Sequence, residues 1–352
     1  MNGHSRNIPL HVIIMCVLPL AGSTSCYNDE PQAAETPEET IAFFAPKLRS
    51  PVTTQTISEF KVWAMLENWT PVMKDVTVTR KGPNSWGYSP TVKWPDEAVS
   101  FYAVSPASTT MSDIYLGFNI YYKCLGDIDL LVAVRKDVHQ TDGRIKLNFC
   151  HTLSRITASI STPLTDTVVD VKRISLADVG DAGTFTVPDR TTVINEPADD
   201  ISDRWQVWSM TATNFNMFYS TDSFITLSGF PYSPVDGSEF MIPVHLTPLE
   251  FSGYIHGSAI RVVYRLINRK TGETIWPTST TPAHLRPYDI PGWGVANLAL
   301  KPSTPDGRWQ AGREYHYNIS IIGEPSFNGY ARSGRNVAGS AGCIISCTDS
   351  EY

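Results

Sequence analysis

Cys26 is the residue whose chemistry is best defined by its surroundings. It follows Ser23, Thr24 and Ser25, which close an apolar run from Val12 to Gly22 broken only by Pro19, with Arg6 ahead of the run. A weakly basic start, a short apolar core and small residues before a cysteine form the pattern of a lipoprotein export signal, in which the thiol is acylated and Cys26 becomes the first mature residue. The core is too short to span a bilayer, which takes about 20 apolar residues. Ser23 stands where such signals usually carry Leu. Residues 1–25 are therefore expected to be removed and Cys26 to hold the mature chain on a membrane, at about 0.8 kcal/mol per buried methylene of acyl chain. The competing reading is plain secretion with Cys26 unmodified.

The other reactive residue types do not assemble. His139, His151, His245, His256, His284 and His316 are scattered, with no H-E-x-x-H spacing and no G-x-S-x-G around a serine. His151 precedes Ser154 by three positions, the nearest approach to a base and nucleophile, and reads as a hydrogen-bonded structural histidine. Cys343 and Cys347 lack the second ligand pair that zinc requires. Asp127 and Asp129 fall far short of the 6–8 oxygens that calcium takes and read as a turn. No enzyme activity, metal or cofactor is expected. With Cys16 lost in the leader and Cys26 acylated, Cys124, Cys150, Cys343 and Cys347 remain, too few for a disulfide scaffold although able to pair in an oxidising compartment. The formal net charge of −7, one unit more negative once Arg6 leaves with the leader, argues against a nucleic-acid partner.

These residues must be carried by strands. Phe60, Val62, Ala64 and Leu66 alternate with polar neighbours, as do Ile145, Leu147 and Phe149, and period two gives one buried and one wet face. The same alternation recurs at Val99, Phe101 and Ala103, at Ile156, Ala158 and Ile160, at Val262, Tyr264 and Leu266, and at Tyr315, Tyr317, Ile319 and Ile321. Short strands separated by Gly, Pro, Asn and Asp predict an all-β fold of antiparallel sandwiches. Phe60, Val62, Phe101, Leu147, Phe149 and Ile156 are expected in a first core, and Val262, Tyr264, Tyr317 and Ile319 in a second. A length of 352 residues suits two domains. The acidic, proline-containing stretch 26–39 reads as a tether. A boundary at Asn195 to Asp203 then separates an N-terminal sandwich, 40–197, from a C-terminal one, 198–352, with a short polar tail.

An ordered set of short motifs adds a resemblance. Ile41 to Phe44, Arg49, Phe60 to Ala64 (FKVWA), Trp94 with Pro95, and Phe101 to Pro106 (FYAVSP) resemble the first domain of the fimbrillin family. Asp129 to Ala133 (DLLVA), Leu147 to Ile156 (LNFCHTLSRI), Gly183 to Phe185, Met241 to Pro243 and Trp309 to Tyr317 (WQAGREYHY) continue it in order. The resemblance implies two transthyretin-like antiparallel β-sandwich domains in tandem, in a lipoprotein subunit of type V pili at the outer membrane surface of Gram-negative anaerobes, with other pilus subunits and a host or bacterial surface ligand as partners. It also implies assembly by strand exchange: a protease cuts after an arginine, the first strand leaves, and a partner's strand fills the groove. Here Thr40, Ile41, Ala42, Phe43, Phe44 and Ala45 match the removable strand, with Ile41 and Phe43 facing the core. The cleavage then falls between Arg49 and Ser50.

The C-terminus departs from that pattern. Polymerising relatives end in a long alternating strand, whereas here Cys343, Ile344 and Ile345 read as the whole apolar content of the tail, too short a run to fill a groove made for five or more residues. A tip or accessory subunit, a lipid-held anchor or a truncated form is therefore expected rather than an ordinary stalk subunit. The competing function is a surface glycan-binding lipoprotein, since the chain carries nine tryptophans. Trp205 and Trp208, beside the expected boundary, are its best candidates.

Overall fold

The computed structural model describes residues 39–44, 57–82, 85–113, 117–188, 201–210, 215–233, 239–251, 255–302, 304, 306–325 and 342–351. Cys26 and the tether up to residue 38, Ala45, Arg49, Ser50 and the boundary residues 195–200 lie outside them. The described residues form strands, three single 3-10 turns and no α-helix, and all sheets of more than two strands are antiparallel but for one pairing.

The N-terminal sheet has six strands, in the order Cys150–His151, Leu131–Val138, Val99–Ser105, Glu59–Leu66, Pro71–Gly82, Ser85–Gly87. Its central strands are covered on both faces. Phe60, Val62, Phe101, Ala103 and Ala133 pack on one side with Ile145, Leu147 and Phe149. Trp63, Met65, Tyr102, Val104 and Val132 pack on the other, into a larger core. That double burial explains why Val99–Ser105 is buried along its whole length, a run that alternation alone does not predict. Below this second face lies a four-stranded sheet, Trp205–Met210, Gly180–Thr186, Phe118–Lys123, Met111–Asp113, whose Phe118, Ile120, Tyr122 and Phe185 share the larger core. Pairing of Gly180–Thr186 with Trp205–Met210 bridges the expected boundary.

Two further sheets complete the fold. One places Thr167–Ala177 between Phe215–Tyr219 and Ala259–Asn268, with Thr274–Trp276 and Gly294–Ala299 on the far side of Ala259–Asn268. The other runs Glu239–Met241, Ser154–Ser161, Arg313–Ile321, Cys343–Glu351. Val262, Tyr264, Tyr317 and Ile319 share one cluster, as the periodicity predicts. Ile156 joins them rather than Phe60 and Phe101. The reason is connectivity: after His151 the chain leaves the first sheet, and Ser154–Ser161 pairs in parallel with Arg313–Ile321.

The C-terminus also differs from the sequence reading. Cys343–Glu351 is a nine-residue strand, antiparallel to Arg313–Ile321 over its full length. Cys343, Ile345, Cys347 and Asp349 point inward to different depths while Ile344, Ser346, Thr348 and Ser350 are exposed. A strand with Ser and Thr outward and Cys and Asp inward looks polar in sequence yet pairs fully, so the tail is not short and the objection from length to its filling a groove falls away.

Candidate functional site

Residues 39–44 lie in a slot between two chain segments and are bonded to both. On one side the chain runs antiparallel to 92–94: the Ile41 amide donates to the Val92 carbonyl at 2.9 Å and the Trp94 amide to the Glu39 carbonyl at 3.2 Å, around a Thr40–Lys93 bridge. On the other side Phe43–Phe44 runs parallel to Ile145–Lys146, with the Ile145 amide donating to the Ala42 carbonyl at 2.8 Å and the Leu147 amide to the Phe44 carbonyl at 3.1 Å. The Tyr88 hydroxyl donates to the Ile41 carbonyl at 2.7 Å and accepts from the Val92 amide at 3.3 Å. Burial pushes this phenol above its ordinary pKa, so it keeps the proton it donates.

The side chains alternate as the sequence predicts. Ile41 and Phe43 are each 2% exposed, while Ala42 and Phe44 are half-buried. The Phe43 ring meets three others edge-on, with centroids 5.8 Å to Phe60, 5.7 Å to Tyr88 and 5.9 Å to Phe101. The slot is thus a set of five hydrogen-bonding positions and two apolar sockets, with Phe60, Val99, Phe101, Ile145 and Leu147 in the same core. An extended segment with the same spacing of apolar side chains can satisfy all of it; an empty slot leaves backbone donors and acceptors unpaired and apolar surface wet. Ala45, Arg49 and Ser50, which continue this strand in sequence, are outside the described residues. Tyr88, the side chain that ties the segment to the 92–94 flank, belongs to none of the motifs read from sequence, because its role depends on a partner 47 residues away.

The residues considered for other chemistry are committed elsewhere. His151 Nδ1 is bonded to Asp129 Oδ2, both buried, and the Leu130 amide donates to Asp129 Oδ1 at 2.8 Å. Burial raises the Asp129 carboxyl and the adjacent His151 counteracts it. The Ser154 hydroxyl donates to the Gln310 carbonyl at 2.8 Å, so the two halves of the sequence pair are separately engaged. Among the described residues Cys124, Cys150, Cys343 and Cys347 form no disulfide, and no three His, Cys, Asp or Glu side chains group as metal ligands. Trp63, Trp276 and Trp309 are buried. Trp205 donates its indole N–H to the Thr152 carbonyl at 2.7 Å and packs on Tyr122 and Phe185, whereas Trp208 is 60% exposed.

Comparison with known proteins follows the same lines. No curated protein matches the chain. A crystal structure of a fimbrial protein from Bacteroides vulgatus ATCC 8482 is similar with a TM-score of 0.54 at 13% identity, covering 89% of this chain and 99% of that one. A fimbrilin from Porphyromonas gingivalis W83 is similar with a TM-score of 0.43 at 10% identity, covering 90% of this chain and 99% of that one. A family model described as fimbrillin-like matches residues 52–331. Matched over most of its length, the chain belongs to the fimbrillin-like family.

Proposed function

We propose that this chain is a pilus subunit that reaches the outer membrane surface as a lipoprotein acylated at Cys26 and assembles by strand exchange. In this reading a protease cuts between Arg49 and Ser50, Thr40 to Ala45 leaves, and an extended segment of a partner subunit takes its place. The observation that carries it is the slot itself: a short segment near the N-terminus, bonded along both edges, that fills two apolar sockets of a core otherwise built from residues 57–149. The backbone bonds make such a slot tolerant of sequence, and the sockets for Ile41 and Phe43 give it selectivity. Cys343–Glu351 already pairs at nine positions with Arg313–Ile321. Lending it to a neighbour would break that edge, which favours a tip, accessory or anchor subunit that accepts a strand over a stalk subunit that also donates one.

The test is cleavage of the folded, full-length protein with a trypsin-like protease. A cut after Arg49 should yield a species that takes up a peptide carrying the 40–45 sequence or a partner subunit. Arg49→Ala should remain intact and take up neither. Cleavage that leaves the protein unable to accept any strand, or strand uptake by the uncut Arg49→Ala chain, would overturn the reading.

A further inference from the structure

Tyr88 touches the segment in the slot in two ways at once. Thr40 and Lys93 form an antiparallel bridge, and beside it the Ile41 amide bonds to the Val92 carbonyl. In a regular antiparallel pair the two residues also exchange the reciprocal bond, from the Val92 amide to the Ile41 carbonyl. Here that bond is relayed: the Val92 amide donates to the Tyr88 hydroxyl at 3.3 Å, and the hydroxyl donates to the Ile41 carbonyl at 2.7 Å. The same side chain forms one wall of the apolar socket two residues further on, its ring centroid 5.7 Å from that of Phe43 and edge-on to it. Phe60 and Phe101, the other two rings around Phe43, belong to the strands Glu59–Leu66 and Val99–Ser105 and are wholly buried. Tyr88 lies just past Ser85–Gly87, outside any strand, and is half-buried, so it belongs to the wall of the slot rather than to the sheet beneath.

We propose that Tyr88 sets the register of the strand held in the slot and selects one with an aliphatic side chain at one position and an aromatic side chain two positions on. The inference rests on the strand-exchange reading for the origin of an incoming strand and names its sequence class. Backbone bonds cannot supply the register. They reach Glu39, Ile41, Ala42 and Phe44 through main-chain atoms alone, and because strands repeat with period two, a strand shifted by two residues forms them again. A shift of one residue turns Ile41 and Phe43 outward, which the buried face already opposes. A shift of two puts Ile41 or Ala45 among the rings of Phe60, Tyr88 and Phe101, and only the socket distinguishes it from the native register. Neither side chain replaces a phenyl ring: Ile offers no ring edge and Ala leaves a void. Exchanging the two side chains in place also fails, since a larger ring must enter the Ile41 site while the ring socket is underfilled. Tyr88 couples the two positions, its hydroxyl fixing the carbonyl of the aliphatic residue while its ring abuts the aromatic one. Loss of the hydroxyl therefore weakens every strand alike, and loss of the ring removes the discrimination between strands.

The test combines the intact full-length chain with two peptides. The double variant Ile41→Phe, Phe43→Ile exchanges the two side chains at constant composition. Hydrogen exchange at the Ile145 and Leu147 amides, which donate to the segment, should show the slot open about tenfold or more as often in this variant as in the native chain. Tyr88→Phe should raise opening in both chains and keep that ratio, whereas Tyr88→Ala should bring it below about threefold. After cleavage at Arg49, a peptide carrying Thr-Ile-Ala-Phe-Phe-Ala should be taken up in preference to one carrying Thr-Phe-Ala-Ile-Phe-Ala by about the same tenfold, and Tyr88→Ala should lose the preference. Equal opening of the native and exchanged chains, equal uptake of the two peptides, a ratio already lost in Tyr88→Phe, or one that survives in Tyr88→Ala overturns the proposal. A merely structural role for Tyr88 would shift both chains and leave their ratio unchanged. Should the cut protein take up neither peptide while the ratio in the intact chain depends on Tyr88 as stated, the strand-exchange reading falls and the register assignment stands.

Discussion

Phe43→Ala tests whether the first strand is a separable member of the fold. The ring is almost fully buried and touches Phe60, Tyr88 and Phe101 edge-on. Truncating a buried phenylalanine costs about 3–5 kcal/mol through lost transfer energy and the cavity left behind. The rest of the segment's hold is larger: Ile41 contributes about 2–3 kcal/mol on burial, and the five hydrogen bonds about 1 kcal/mol net each. If residues 39–44 leave the slot as a unit, the loss falls on that local opening and equally on global unfolding, because Phe43 is exposed in both. Each 1.4 kcal/mol is a factor of ten, so the open population should rise roughly 10² to 10⁴-fold. Native-state hydrogen exchange reads this directly. The amides of Ile41, Ile145 and Leu147 lose their partners when the segment departs and should exchange faster by that factor with little dependence on urea, while amides in Glu59–Leu66 paired with Val99–Ser105 should stay better protected and keep the steep urea dependence of global unfolding. Cleavage after Arg49 should accelerate in parallel. Equal protection and equal urea dependence at the two sets of amides would show that the segment unfolds only with the whole protein and would refute the separable-strand argument.

Three further outcomes are expected. Leu147→Asn strands a polar side chain in the core beside the slot and should destabilise the protein by about 3 kcal/mol or more, measured by urea denaturation. Glu239 has its carboxyl pushed up from 4.5 to about 7, by burial and then by repulsion from Asp127, so the folded state holds a proton that the unfolded chain releases. Its contribution is therefore full below pH 4.5 and is lost as pH rises to about 7; Glu239→Gln should abolish this decline in thermal midpoint, and an unchanged slope would contradict the assignment. Cys26→Ala should move the protein from the membrane to the soluble fraction, and mass spectrometry of the native N-terminus should find acyl groups on Cys26.

What was legible in the sequence was local. The alternation of Phe60 with Val62 and of Tyr317 with Ile319 gives strands and faces, and Ile41 and Phe43 are assigned inward once the resemblance marks Thr40 to Ala45 as a strand. Partnership was not legible. Nothing in residues 154–161 says that their neighbour is 313–321, so Ile156 was placed in the wrong core. Cys343–Glu351 was missed because hydrogen bonding to Arg313–Ile321, rather than apolar content, makes it a strand. The Arg265 guanidinium lies over the rings of Phe224 and Trp293, which lie in separate loops and form no motif.

The parallel pairing of Ser154–Ser161 with Arg313–Ile321 has a kinetic consequence. Arg155 meets Glu314 across 159 positions of chain, and the edge strand Cys343–Glu351 can add only once Arg313–Ile321 is in place. Closing so long a loop costs entropy before any contact rewards it, and topologies of this kind fold slowly. During synthesis the N-terminal sheet, complete by His151, can form early, while Ser154–Ser161 stays unpaired on its Arg313–Ile321 side until nearly the whole chain has emerged. Pairing of Ser154–Ser161 with Arg313–Ile321 is thus a late step, taken after the N-terminal sheet has had time to form.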